Sequence, residues 1–255
     1  MAIDPRDVPL LELDPARVAM IEPSERYRRR GDGLRAVMCF FREVTTARGE
    51  GQPVVVSVPS ENGPFPVFEL ATATGPVWVF HPPVGAAMSA AGLELLVASG
   101  VDRVIVCGGA GNLEGGRALG HVVVPTAAVR DEGASFHYLP SSRTVDASPA
   151  GVAAVIAACE SAGVPFATGL TWTTDGLFRE TPAKIAARRA EGCLTVEMEA
   201  AALFAVAQYR GITIGQLLYA ADDLSGDEWD HRGWDKDRTG RERLFDLAVD
   251  AVQRL

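Results

Sequence analysis

Two carboxylates, Glu197 and Glu199, flank Met198 in the run Thr195-Val-Glu-Met-Glu-Ala-Ala-Ala-Leu-Phe204. The run reads as the start of an apolar helix, where a carboxylate loses its hydration unless something partners it. Such acids call for a ligand or a buried network. Further on, the apolar run 212–221 stops at Asp222-Asp223. A buried strand that ends in carboxylates is where an α/β protein presents catalytic groups. Together the two acidic pairs suggest a cavity that grips hydroxyl groups with one acid and moves a proton with another. The structural alternatives are acids favoured by a helix dipole and, for Asp222-Asp223, a capping pair ahead of Leu224 and Ser225. A dipole explains an exposed acid better than one embedded in Val-Glu-Met-Glu-Ala-Ala-Ala, so the functional reading is preferred.

Other segments carry weaker signals. Cys107-Gly-Gly-Ala-Gly-Asn-Leu113 reads as a glycine turn after a buried strand, able to bring backbone N–H groups close to an anion. It lacks the glycine spacing of a dinucleotide fingerprint and the Gly-Lys-Ser/Thr of a P-loop. By itself a plain strand-to-loop turn is the better reading. His137, set between Phe136 and Tyr138, is expected to be a hydrogen-bonded structural histidine rather than a catalyst. Trp172 and Phe178 stand around a turn, where stacking on a planar base and core packing are equally open. The charged, aromatic stretch 227–243 reads as a solvated segment able to fold over a cavity.

The elements that must position these residues alternate in type. Strands are expected at 36–41, 53–58, 77–80, 103–107, 121–124, 166–170 and 212–221, with a short one at 18–21. Helices are expected at 86–99, 150–162, 182–190, 199–210 and 241–255. Gly100, Gly163 and Gly211 stand where C-terminal caps belong. The stretch 60–75 is irregular and compatible with a hairpin insertion. Strands alternating with helices predict an α/β fold. No linker or low-complexity tract divides the 255 residues, so one domain is expected over 1–255, with 1–17 as an extended N-terminal segment. A net charge of −9 disfavours nucleic acid and anionic membrane as partners. The four scattered cysteines suggest neither a zinc site nor a disulfide framework, but reduced core thiols in a cytoplasmic protein. No stretch resembles a signal peptide or a membrane span.

On these residues the chain resembles the nucleoside phosphorylase and nucleosidase superfamily, of the purine and uridine phosphorylase type. Val196-Glu-Met-Glu-Ala-Ala201 followed by an acid-ended strand carries the likeness, and Gly108-Gly-Ala-Gly111 adds to it. Val129-Arg-Asp-Glu-Gly-Ala-Ser-Phe-His-Tyr-Leu-Pro140 is similar to a segment of uridine phosphorylases. The resemblance implies a mixed, partly closed β-sheet flanked by helices, assembled as a homo-oligomer (a dimer or hexamer). It implies Glu199 on the ribose hydroxyls, with Met198 against the sugar and Glu197 nearby. Asp222 is implied to assist the departing base, Phe178 (or Leu177) with Gly111 to hold it, and Arg26, Gly108 and Gly109 to hold phosphate. No metal or organic cofactor is implied; phosphate is the co-substrate. The base, purine or pyrimidine, is left open, with Arg179 the candidate nearest Phe178 for holding uracil.

Departures from the family pattern bear on the co-substrate. Val106 replaces the phosphate-holding arginine, Gly109 a hydroxyl residue, and Glu22-Pro-Ser-Glu-Arg26 the phosphate loop. Losing a guanidinium removes charge-assisted bonds of about 1.5–3 kcal/mol each. Arg26, Arg42 or Arg48 and backbone N–H groups remain to hold phosphate. Hydrolysis, with Glu22 activating water, is the alternative; non-catalytic nucleoside binding is the third.

Overall fold

The computed structural model describes residues 6–61 and 63–255. In chain order, α1 (Pro23–Arg26), β1 (Leu34–Cys39), α2 (Arg42–Gly49), β2 (Val54–Val58), β3 (Phe65–Leu70) and β4 (Val77–Phe80) come first. They are followed by α3 (Ala86–Ala98), β5 (Val101–Asn112), β6 (Val122–Asp131), β7 (Thr144–Asp146), α4 (Pro149–Ser161) and β8 (Phe166–Thr174). The chain ends with α5 (Pro182–Ala190), β9 (Cys193–Glu197), α6 (Ala200–Arg210), β10 (Thr213–Asp223) and α7 (Arg238–Gln253).

These strands form one sheet in the order β10-β6-β8-β9-β5-β1-β4-β3-β2, with β7 paired to β6 and β10 also paired to β5. The last pairing closes β5, β10, β6, β8 and β9 into a ring. From β5 the strands β1, β4, β3 and β2 extend as an open wing. β1 lies parallel to β4 and β5, β10 parallel to β5, and β8 parallel to β6 and β9, whereas β5–β9 and β6–β10 are antiparallel. The sheet is therefore mixed and partly closed, as the resemblance implies.

Strands covered on both faces read as unbroken apolar runs rather than alternating ones. Val77-Trp-Val-Phe80 in β4 is such a run and is buried throughout. One face of the sheet packs on α3 and α6, the other on α4 and α7. Ala200 to Ala207 are all buried, because α6 is enclosed on every side. Gly211 ends that helix in the left-handed conformation (φ 71°) and turns the chain into β10. All four cysteines are unpaired and buried, and no described helix is long and apolar enough to cross a membrane.

Several expectations are corrected. Residues 18–21 form no strand. Gly108–Gly111 is not a turn but the continuation of β5, which stays paired with β10 to Asn112. Thr195–Glu197 lies in a strand, and the helix begins only at Ala200. The short elements α2, β7 and β9 were not expected, whereas β3 pairs antiparallel with β2 inside the irregular stretch.

β10 and α4 cross in near backbone contact. A Cβ on Gly151 would lie 2.2 Å from the Ile214 carbonyl oxygen. In an exposed helix, Gly→Ala gains roughly 1 kcal/mol. Here the clash reverses the sign: Gly151→Ala should cost about 1–3 kcal/mol in urea denaturation, and a gain in midpoint would contradict the close crossing.

Candidate active site

The carboxyl ends of β5, β9 and β10 meet the N-termini of α3 and α6 around a cleft of about 590 Å³. β10 carries two residues, Ala221 and Asp222, where β5 has only Gly111, since Ala220 pairs with Ala110 and Asp223 with Asn112. Such a bulge re-aims side chains. Gly111 leaves the room for it: a Cβ there would lie 3.6 Å from Asp222 Oδ1 and 2.5 Å from Leu224. β5 leaves β1 after Cys107 and meets β9 only at Gly111. Between those points, the edge of β5 away from β10 has no strand partner among the described residues and lines the cleft.

The acids at α6 have different situations. Glu197 Oε1 accepts the Thr173 hydroxyl at 2.6 Å, and Oε2 accepts the N–H groups of Glu199 (2.8 Å) and Ala200 (2.6 Å). Thr173 Oγ1 accepts the N–H of Ala201 at 2.9 Å. Glu197 and Thr173 thus cap a helix start that water cannot reach. Glu199 is engaged less completely: Oε1 accepts the Gly85 N–H at 2.7 Å, which ties the start of α3 to that of α6. Burial is the largest influence on both acids. It pushes Glu197 up to about 7 against its three donors, and Glu199 up to about 8 with the Glu197 charge adding to it.

Across the cleft, Asp222 Oδ2 accepts the indole N–H of Trp229 at 2.7 Å. Asp223 is occupied elsewhere. Partial burial opposes its charge, but Ser225, Arg232 and Asn112 together hold its carboxyl below the usual range. Glu180, just after the 3-10 turn Leu177–Arg179, also lines the cleft. Burial, followed by the charge of Asp222, pushes it up to about 7. At the α2 end, Arg241 pairs with Glu43 at 2.6 Å and lies between the rings of Phe41 and Trp234. His81 Nδ1 lies 2.9 Å from the Cys39 carbonyl, and burial with the nearby Arg42 charge lowers its pKa. Nδ1 therefore donates and Nε2 is left for the cleft. Gln216 is buried with Oε1 unpartnered.

The family model of the phosphorylase superfamily matches residues 43–253. The chain belongs to that superfamily. It is 29% identical over 231 residues to a uridine phosphorylase of Thermococcus kodakarensis, covering 84% of this chain and 73% of the relative. A guanosine phosphorylase of Halorubrum lacusprofundi is 26% identical, covering 68% of this chain and 73% of its own. A uridine phosphorylase structure from Vibrio fischeri shares the fold (TM-score 0.74, 22% identity, 90% and 94% coverage). An AMP nucleosidase from Bacteroides thetaiotaomicron does too (TM-score 0.71, 25% identity, 91% and 96% coverage). This is an enzyme superfamily of nucleoside phosphorylases and nucleosidases.

Among the expected residues, Glu199, Met198, Asp222, Gly108, Gly109 and Gly111 all line the one cleft of this superfamily member. Three expectations need revising. Phe178 is 94% exposed and outside the cleft, which Leu177 lines in its place. Glu197 lines the cleft, but both its oxygens are spent on the α6 cap. Glu22 lies in a separate groove with Tyr138, Tyr209 and Arg210, where it accepts the Ala19 N–H at 2.6 Å. It is therefore no base for water in this cleft. The Arg26 side chain lies outside what the structure describes. Arg42 lines the cleft, whereas Arg48 pairs with Asp246. His137 is exposed in the Glu22 groove, and Trp172 is buried core. Glu180, His81, Gln216, Arg241 and Trp229 were missed. Only Trp229 and Arg241 had a signal, lying in the stretch read as able to fold over a cavity.

The raised acids predict a pH dependence of stability. Both carboxyls titrate near 4.5 when free and at about 7 and about 8 in the fold. Their contribution is complete below the lower value and lost as pH rises through the higher ones. Thermal midpoints should fall between pH 5.5 and 8.5, and Glu199→Gln should flatten that fall. An unchanged slope in the variant would contradict the assignment.

Proposed function

We propose that this cleft cleaves the N-ribosidic bond of a nucleoside by phosphorolysis. The observation that carries the reading is the placement of Glu199 and Asp222 on one cavity, one at a helix start and the other on a re-aimed strand end. Bond cleavage builds positive charge on the sugar and negative charge on the departing base. Glu199, which lines the cleft and is held by fewer donors than Glu197, accepts the ribose hydroxyls, and Met198 covers the sugar. The Asp222–Glu180 pair faces the base, which lies against Gly111 and Leu177. Phosphate is held at the Gly108–Gly109 end, where Arg42 and His81 line the wall. Arg26, by family resemblance, is a further ligand. No metal or organic cofactor enters this scheme.

Hydrolysis is the second reading, favoured by Val106: that side chain is fully buried in the core and puts no cation under the cleft. The AMP nucleosidase likeness also supports it. A homo-oligomer is proposed as well, supported by Val18, Met20 and Ile21, which are 71–98% exposed. The unpaired cysteines support a cytoplasmic setting.

Base release from a nucleoside panel, with and without phosphate, decides the reaction. Release that requires phosphate is expected, release without it means hydrolysis, and binding without release means a carrier. Glu199→Ala should lower kcat/KM by about 10²–10⁴-fold, the equivalent of two charge-assisted hydrogen bonds. Near-native activity would remove Glu199 from the ribose. Because diol binding favours the ionised form of an acid titrating at about 8, ligand uptake at pH 7 should release close to one proton. Calorimetry in buffers of different ionisation enthalpy reads that release, and none is expected in Glu199→Gln.

A further inference from the structure

We infer that Glu180, not Asp222, delivers the proton to the departing heterocycle, with Asp222 as its neighbour on the same cleft. The inference rests on the reading of the cleft as a site of N-ribosidic cleavage. It follows from how hydrogen-bond donors are divided between the two carboxyls. Asp222 Oδ2 already accepts the Trp229 indole N–H at 2.7 Å, so that oxygen is engaged by the protein before any ligand arrives. Trp229 is held in turn by an edge-on contact with His231, 5.4 Å between ring centroids. The same segment is pinned to the strand end by the Asp223–Arg232 pair and the Asp223–Asp230 bridge.

Glu180 has the opposite environment. It is partly buried, lines the same cleft, and its carboxyl accepts no hydrogen bond from a described residue. Lys184, the nearby cation on α5, is drawn to Asp131 at 2.9 Å and only partly offsets Asp222. The other charged groups on the cleft are Glu197 and Glu199 at the start of α6, Glu43 and Arg42 in α2, Arg241 in α7 and Asp235 just ahead of it. His81 on the same wall has its Nδ1 engaged by the Cys39 carbonyl. Burial and the Asp222 charge put Glu180 at about 7, which suits a group that must hold a proton at neutral pH and then release it.

In the step itself, the C1′–N bond breaks and its electron pair goes to the base. Glu180 Oε–H transfers its proton to a base nitrogen and becomes ionised. The incoming phosphate or water oxygen forms the new bond to C1′, and any proton it loses passes to solvent. Solvent then reprotonates Glu180 as the base departs.

The test is the kcat/KM–pH profile of the native protein, Glu180→Gln and Asp222→Asn, using the nucleoside the native protein cleaves fastest. Native activity should rise as Glu199 ionises, peak between pH 7 and 8, and fall above that as Glu180 loses its proton. Glu180→Gln should lose about 100-fold or more, and its residual rate should lack that limb. Asp222→Asn should shift the limb to lower pH, because without the neighbouring charge Glu180 ionises earlier; its deficit is largest at pH 8 and shrinks at pH 5.5. The reverse pattern, with Glu180→Gln keeping the limb and Asp222→Asn losing it, makes Asp222 the donor and overturns the inference. Carboxyl ¹³C NMR of the unliganded protein should show a glutamate titrating near 7 that is absent in Glu180→Gln and shifted down in Asp222→Asn. Failure to see it overturns the coupling. If the native protein releases no base at all, the cleavage reading fails and takes the donor with it. If base is released and the limb survives in Glu180→Gln, only the donor assignment falls.

Discussion

The site depends on how the start of α6 is satisfied. Its first turn lies inside the protein, with Ala200, Ala201 and Ala202 fully buried, so its free N–H groups cannot turn to water. Glu197 at the end of β9 and Thr173 in β8 supply the missing acceptors. One buried carboxylate thereby locks two strands to one helix. Glu199 is the N-cap residue of that helix, and its orientation follows from the lock. A second tie, from Glu199 to the Gly85 N–H, fixes α3 in the same frame. This cleft-lining acid is thus held by backbone geometry rather than by the side-chain packing that usually positions such groups.

The opposite wall is built by a different device. Asp222 faces the cleft because β10 carries an extra residue opposite Gly111, and because that glycine presents no side chain to block it. Asp223, its neighbour in sequence, leaves the cleft and anchors the following segment through Asn112, Ser225 and Arg232. The two consecutive acids have separate placements, one on the cleft and one tied to the chain. The same division holds at α6, where Glu197 is structural and Glu199 is available. In each pair, the carboxyl richer in protein donors is the one less free to serve a substrate.

Much of this was legible in the residues. Acids embedded among alanines cannot be solvated, and that alone marked 197–199. An apolar run stopping at Asp222 marked the strand end. The strand and helix alternation followed from apolar runs bounded by Gly211-type caps. What sequence could not supply was which oxygen of which acid is already occupied, since Thr173 lies 24 residues from Glu197 and meets it only through the β8–β9 pairing. Glu180 escaped notice because an acid ahead of Thr181-Pro182 looks like ordinary helix-start chemistry. Phe178 differs for a related reason: a 3-10 turn rotates adjacent side chains apart, so the half-exposed Leu177 borders the cleft while Phe178 faces solvent. The glycine run was taken for a turn because glycine is depleted in strands, yet here the bare backbone continues the ladder.

The interrupted pairing of β5 has one more consequence. A strand flank without a neighbour ordinarily invites another chain to dock, which is why exposed flanks are kept short or shielded. Here the open stretch spans only residues 108–110, closed off by β1 on one side and β9 on the other. It is too brief to recruit a foreign strand, yet long enough to offer peptide groups to a small molecule. The cleft thus has a floor of bare main chain, and the protein carries it without exposing an aggregation template.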